Sequence, residues 1–228
     1  MALDQAAQKA AAAVRAAMEV QPGMVVGLGS GSTAALVVES LGARLRDGLR
    51  FVGVPTSDAT REQAIRLGIP LTTLDDHPEL DLDIDGADEV DPRGEMIKGL
   101  GGALLREKIV ASAARRLLIV VDEGKNVPQL GLRAPVPVEV VRFGWRATAA
   151  RLQAWGATAE LRGGGHGPFV TDGGNYILDC RFAGGIDLAQ LASAIKSVLG
   201  VVEHGLFVGL RPTVITGRAD GSCSVHAF

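Results

Sequence analysis

The sequence predicts an α/β protein: a mostly parallel, Rossmann-like sheet with helices on both faces, plus a small α+β subdomain of ferredoxin-like order. Three observations carry that expectation. Short apolar runs alternate with helical spacings from Met24 to Val121, and strands joined by helices of this length make βαβ units. Glycines cluster where the apolar runs end, thirty of them in 228 residues against a usual ~7%. After Gly124 the order changes to βαββαβ, which is the split βαβ pattern.

The elements follow in order. Leu3, Ala7, Ala10, Val14, Ala17 and Met18 fall at helical spacing, and Pro22-Gly23 stops that helix. Met24 to Leu28 reads as a short buried strand, then Gly29-Ser30-Gly31-Ser32 turns the chain into a helix from Thr33 to Arg46. The unit repeats as strand Arg50 to Val54, helix Ser57 to Leu67 and a strand around Leu71 to Thr73. Leu80 to Asp85 is the next strand, followed by a loop to Met96, a helix from Ala103 to Ala114 and the strand Leu117 to Val121. Pro128, Pro135 and Pro137 then mark a boundary. Beyond it come strand Val138 to Val141, helix Trp145 to Trp155 and strand Thr158 to Arg162. Phe169 to Thr171 and Tyr176 to Arg181 read as a hairpin through Asp172-Gly173-Gly174-Asn175. Helix Asp187 to Ser197 and strand Val201 to Phe207 close the subdomain, and Thr213 to Thr216 returns to the large domain. The domains are therefore expected at 1–130 with 207–228, and at 131–206. Trp145 and Trp155 are assigned to the core of the smaller one.

Composition removes several functions. A net charge of −3 and 4% aromatic residues argue against a nucleic-acid surface, which needs basic patches and stacking rings. Cys180 and Cys223 form no C-x-x-C pair, so neither a disulfide scaffold nor a zinc ribbon is expected. His77, His166, His204 and His226 show no metal-ligand spacing, and no metal is expected. No apolar run exceeds five residues, far short of a ~20-residue membrane span. Asp4, Lys9 and Arg15 interrupt the alanine-rich start, so it does not read as a signal-peptide core. A cytoplasmic protein is the expectation.

Three glycine-bounded loops can carry chemistry. In Gly27-Leu28-Gly29-Ser30-Gly31-Ser32-Thr33 a strand passes into a helix, where bare N–H groups and hydroxyls can cradle one phosphate. The alternative is a plain turn capped by Ser32. It lacks the third glycine of a dinucleotide fingerprint and the lysine of a Walker loop. The second is Asp81-Leu82-Asp83-Ile84-Asp85-Gly86-Ala87-Asp88-Glu89-Val90-Asp91. It starts like a calcium loop, but Pro92 occupies the closing position where glutamate is required. Read as a strand, it delivers Asp85 to the carboxyl end with Asp88 around one glycine turn, and paired acids can share protons. A solvated acidic loop is the bland alternative. The third is Ile97-Lys98-Gly99-Leu100-Gly101-Gly102-Ala103-Leu104-Leu105-Arg106-Glu107-Lys108. Glu107 falls on an apolar stripe with Leu104 and Val110. Desolvation there would raise its pKa towards that of a general base, unless an intrahelical ion pair holds it. Lys98 and Lys125 are candidate cations at loop positions.

Together these loops resemble ribose-5-phosphate isomerase, type A. The resemblance runs through Gly29-Ser30-Gly31-Ser32-Thr33, Ser57-Asp58, Asp85-Gly86-Ala87-Asp88-Glu89, Lys98-Gly99, Arg106-Glu107-Lys108, Pro137-Val138-Glu139-Val140 and Gly200-Val201-Val202. Leu100 departs from it, standing where the family often has glycine. The resemblance implies a metal-free, cofactor-free interconversion of D-ribose 5-phosphate and D-ribulose 5-phosphate in the pentose phosphate pathway. It implies Glu107 as the base moving a proton between C1 and C2, and Asp85 as the group assisting ring opening. Lys98 and Asp88 would stabilise the enediolate oxygens. Ser30, Gly31, Ser32, Thr33 and Lys125 would bind near the phosphate, and Gly86, Ala87, Gly99, Leu100 and Gly101 would line the sugar. It also implies a homodimer or homotetramer. Two other classes share this kind of sheet: a non-catalytic sugar-phosphate sensor, which would bind without turnover, and a coenzyme A transferase-like enzyme, which would transfer acyl groups.

Overall fold

Apolar strands that alternate with helices bury both faces of a sheet, and a computed structural model of the chain has that architecture. It describes residues 4–164, 167–182 and 187–228; Leu3 and His166, read from the sequence, lie outside them. In chain order come α1 (Gln5–Ala17), β1 (Val25–Leu28), α2 (Ser32–Arg46), β2 (Val52–Pro55), α3 (Asp58–Arg66) and β3 (Leu82–Asp85). Next are β4 (Glu89–Val90), β5 (Met96–Ile97), α4 (Leu104–Ala113), β6 (Leu117–Asp122) and a 3-10 turn, Glu123–Lys125. Then follow β7 (Val136–Val140), α5 (Trp145–Ala154), β8 (Ala157–Leu161), β9 (Gly163–Gly164), β10 (Gly167–Pro168) and β11 (Tyr176–Phe182). The last are α6 (Leu188–Ser197), β12 (Val201–His204), β13 (Leu206–Phe207), β14 (Thr213–Gly217) and β15 (Cys223–Ala227).

The chain divides into two units. The first takes the chain up to Ala87, Arg106–Asn126 and Leu210–Phe228. Its six strands run in the order β15-β14-β6-β3-β1-β2, all parallel except β15, which pairs antiparallel with β14 at the edge. From β1 the chain crosses through α2 to β2 on one side, while β3 pairs with β1 on the other. The order reverses there, so the carboxyl ends of β1 and β3 flank the crevice where such sheets bind ligands.

The second unit takes Asp88–Leu105 and Val127–Gly209. The sequence expectation instead ran the large domain without a break to 130. Residues 88–105 divide from it because β4 and β5 pair with each other and β5 with β13, a three-stranded sheet local to this unit. The four-stranded sheet β12-β7-β11-β8 is antiparallel throughout and, with α5 and α6, gives the expected ferredoxin-like order.

Several local expectations change. Phe169–Thr171 is no strand: β11 pairs with β7 and β8, and the turn to Asn175 is tied instead to the buried Glu139 carboxylate, which accepts from Thr171 Oγ1 and Asn175 Nδ2, each at 2.9 Å. The run Leu71 to Thr73 contributes only one bridge, Leu71 to Gly53. Val201 to Phe207 is two strands, broken at Gly205, where a Cβ would fall 2.2 Å from the Lys98 carbonyl oxygen. Trp155 is 58% exposed rather than core.

The buried stripe of α1 also differs from the bulkiest one. Ala12, Ala13, Ala16 and Ala17 are buried, whereas Val14 and Met18 are 58% and 61% exposed. The helix also runs close to the sheet, since a Cβ on Gly217 of β14 would lie 2.0 Å from the Gln8 carbonyl oxygen of α1.

Cys180 lies fully buried in β11, and burial, with the Asp179 charge beside it, pushes its thiol up to about 12. Thiolate, not thiol, reacts. A disulfide reagent at neutral pH is therefore expected to label Cys223 alone in the native protein and both cysteines after denaturation, read by counting released chromophore.

Candidate active site

In the first unit, the tip of β1 and the tip of β3 are built as a pair. Strand alternation puts Asp83 and Asp85 on one face of β3, and each stands beside a glycine of the neighbouring strand tip. A Cβ at Gly27 would meet Asp83 Oδ1 at 2.4 Å, and one at Gly29 would meet Asp85 Oδ1 at 2.1 Å and the Asp85 Cα at 2.6 Å. Asp85 is buried, and its Oδ1 accepts from Ser30 N at 3.0 Å and Gly86 N at 2.7 Å. The glycine spacing of the first loop thus admits the aspartate spacing of the second. Gly29→Ala should destabilise the fold by about 1–3 kcal/mol, the usual cost of overpacking, and lower activity with it, because the backbone of Asp85 must move. Denaturant midpoints and turnover of the folded variant check both.

Gly31, at φ +96°, turns the chain into α2, and its carbonyl takes the first helical bond from Ala35 N at 2.9 Å. The N–H groups of Ser32, Thr33 and Ala34 precede that bond at the positive end of the helix, the standard place for an anion. Thr33 is buried, 3.8 Å from where a Cβ on Gly86 would stand. Ser30 is used differently from its neighbours. Its hydroxyl lies 2.8 Å from Thr56 Oγ1, 2.7 Å from Ser57 Oγ and 3.2 Å from Thr60 Oγ1, so Ser30 braces the loop from behind. The sequence reading gave Thr56 and Thr60 no part in this loop; a run of hydroxyls after β2 was the available signal. It also missed Lys9, whose Nζ donates to Ser32 Oγ at 3.2 Å. Nothing short of the fold places α1 beside that loop. Lys125 ends the 3-10 turn after β6 and is half-buried.

Glu107 is 4% exposed on α4, one turn before Val110, which packs with Val54 and Leu80. Val110 also meets β1, since a Cβ on Gly27 would lie 2.6 Å from its Cγ1. Arg106 pairs with Asp58 at 3.0 Å. A groove of about 620 Å³ takes Arg106, Ile109 and Val110 from α4 but includes neither Glu107 nor Asp85.

In the second unit, β5 delivers Lys98, which is buried, with Nζ 5.4 Å from the centre of the Phe207 ring and its N–H donated to Gly205 O at 2.9 Å. Asp88 N donates to Ile97 O, and Asp88 Oδ2 accepts from Leu100 N at 2.9 Å. Leu100, the departure from the glycine run, is thereby held by its backbone while its side chain stays exposed. Glu89 in the same motif is architectural. Its carboxylate accepts from the N–H groups of Gly131, Arg133 and Ala134 at 2.6, 2.6 and 2.8 Å, which fixes the turn into β7. Among the described residues no three His, Cys, Asp or Glu side chains are grouped to hold a metal ion, and no helix is long and apolar enough to cross a membrane.

Comparison with known proteins identifies the family and the fold. A sequence model of the family described as Ribose 5-phosphate isomerase A (phosphoriboisomerase A) matches residues 52–221. Ribose-5-phosphate isomerase A of Synechococcus sp. (strain JA-3-3Ab) is 54% identical over 216 residues, covering 93% of this chain and 94% of that one. A solved D-ribose-5-phosphate isomerase in complex with phospho-erythronic acid is 38% identical, with a TM-score of 0.95 over 99% of this chain and 100% of that one. The ribose 5-phosphate isomerase of Plasmodium falciparum is 39% identical, with a TM-score of 0.94 over 98% of this chain and 99% of that one.

Proposed function

The chain belongs to the ribose 5-phosphate isomerase A family, and from that premise we propose how its residues divide the interconversion of D-ribose 5-phosphate and D-ribulose 5-phosphate. The observation that carries the reading is the burial of Glu107 on a helix packed against β1, in the unit whose crevice is formed by Gly29–Thr33 and Asp85. The Glu107 carboxylate takes the proton from C2 of the open-chain aldose. The C2–H electron pair becomes the C1=C2 bond, and negative charge moves to O1. Protonated Glu107 then returns the proton to C1 as the O2 proton passes to O1, giving the ketone at C2 and the alcohol at C1 and restoring the carboxylate. Asp85, held by two N–H groups, opens the furanose ring and relays protons among the sugar oxygens. Lys98 and Asp88 take the role the resemblance gives them, holding or stabilising the enediolate oxygens, the Lys98 cation countering the developing charge.

The phosphate goes to the N-terminus of α2, with Gly31, Ser32 and Thr33 supplying N–H and hydroxyl donors and Lys125 the cation. The Lys9 contact to Ser32 adds a second positive charge at that loop. Phospho-erythronic acid, bound by the solved relative, fits this scheme: its carboxylate offers two oxygens as an enediolate does, one phosphate away. A sugar-phosphate sensor would bind the same molecules without converting them, and a coenzyme A transferase would need an acyl donor. Steady-state assay of ketose formation separates all three. The same reading makes the protein cytoplasmic and a homodimer or homotetramer, for which light scattering on the purified protein gives the mass.

A further inference from the structure

A glycine-rich loop that carries a catalytic cation must be ordered from outside, because glycine brings more backbone entropy to lose than any other residue. Residues 99–102 read Gly-Leu-Gly-Gly directly after Lys98. Gly99 and Gly102 lie at φ +100° and +89°, and the loop's own bonds are Gly102 N to Gly99 O at 3.0 Å and Leu100 N to Asp88 Oδ2 at 2.9 Å. A distant side chain supplies the rest. Arg162 Nη1 donates to Gly99 O and to Leu100 O, each at 2.9 Å, while Asp179 clasps Nε and Nη2 at 2.9 and 2.5 Å. The guanidinium lies 6.0 Å from the centre of the Phe169 ring. That ring fills the space where a Cβ on Gly102 would stand, 2.4 Å from its Cζ. All of these residues belong to the second unit.

We propose that Arg162, itself oriented by Asp179, is a positioning residue for the isomerisation: by holding the Gly99 and Leu100 carbonyls it fixes the loop that presents Lys98 to the developing enediolate charge. The proposal rests on the role given to Lys98 above. A fork of fixed geometry suits the task, since three of its nitrogens meet two carbonyls and one carboxylate at once. Lysine keeps the charge and loses the fork. An ion pair that served stability alone would leave turnover of the folded variant unchanged.

The test compares wild type, Arg162→Lys, Asp179→Asn and the double variant. It reads amide hydrogen exchange at residues 99–102, kcat and KM for ribose 5-phosphate, inhibition by inorganic phosphate, and the melting midpoint. In Arg162→Lys, loop exchange should quicken about tenfold, as for one lost hydrogen bond. Its kcat should fall by ~10–10²-fold, the scale of a misplaced catalytic group. KM should change less, and phosphate inhibition should be unaffected, since the phosphate is gripped in the first unit. Asp179→Asn should move the same readouts in the same direction by less, and the double variant should be no worse than Arg162→Lys, because the two act as one device. Unchanged loop exchange in a folded variant overturns the proposal whatever the enzyme catalyses. So does quickened exchange with undiminished kcat. Should Arg162→Lys not fold, Asp179→Asn decides by the same readouts. A wild type that orders the loop but does not isomerise ribose 5-phosphate would instead contradict the catalytic reading and leave the clamp standing.

Discussion

Glutamine in place of Glu107 should give a folded protein that binds ribose 5-phosphate and turns it over ~10²–10⁴-fold more slowly, the usual cost of removing a positioned base. In activation terms that is about 2.7–5.5 kcal/mol. The substitution keeps the size of the side chain, so the packing of α4 through Val110 onto Gly27 and Val54 is preserved. What it removes is the ability to take a proton from C2. Because the residue is 4% exposed, bulk water has little access from which to replace the lost base. Calorimetry on the variant should return a dissociation constant near the wild-type KM, while the ketose assay falls towards background. Turnover within a few-fold of wild type would take Glu107 out of the chemistry.

Removing the phosphate should cost nearly as much as removing the base. The anion sits far from C1 and C2, and binding energy from a remote group serves to place the reacting carbons against the carboxylate. Free ribose should accordingly lose kcat as well as affinity. Lys125→Ala should weaken ribose 5-phosphate binding by roughly 1.5–3 kcal/mol, one charge-assisted hydrogen bond, and should leave the poor activity on free ribose as it was. Inorganic phosphate should compete with substrate. Equal kcat/KM values for the two sugars would mean that the Gly31–Thr33 loop does not recognise phosphate.

The sequence made the large-scale architecture legible because parallel strands and their crossover helices leave strong marks: five apolar runs separated by helical spacings, two of them closed by glycine at Gly29 and Gly86. The strand-end placement of Asp85 was legible for the same reason, alternation of period two. Short pairings left no mark. β4, β5 and β13 have two residues each, too few for any periodicity, and they are what separates residues 88–105 from the first unit. On α1 the buried face is Ala12, Ala13, Ala16 and Ala17, of which the stripe read from helical spacing contained only Ala17. In the hairpin, Asp172-Gly173-Gly174-Asn175 does turn the chain, with Gly174 N on Thr171 O at 2.8 Å, but a buried carboxylate at Glu139 takes the place of the paired strand.

At the site, residues fixed by local sequence were found, and those fixed by tertiary approach were not. Gly29 and Gly31 follow from the one strand–turn–helix pattern of β1 and α2, and Asp85 from the period-two alternation of β3. The hydroxyls of Thr56, Ser57 and Thr60 behind Ser30, the amine of Lys9 beside Ser32, and the Arg162 fork on Gly99 and Leu100 come from elements remote in sequence. Ser30 shows the consequence. Its side chain belongs to the loop's support, and its N–H belongs to Asp85.

The most direct measurement is a time course on the purified protein after exhaustive chelation, started once from ribose 5-phosphate and once from ribulose 5-phosphate. Both runs should reach the same aldose-to-ketose ratio at the same enzyme-dependent rate, with no metal added. No ketose from the aldose, or conversion that appears only when a divalent metal is restored, would contradict a carboxylate-driven isomerisation at Glu107.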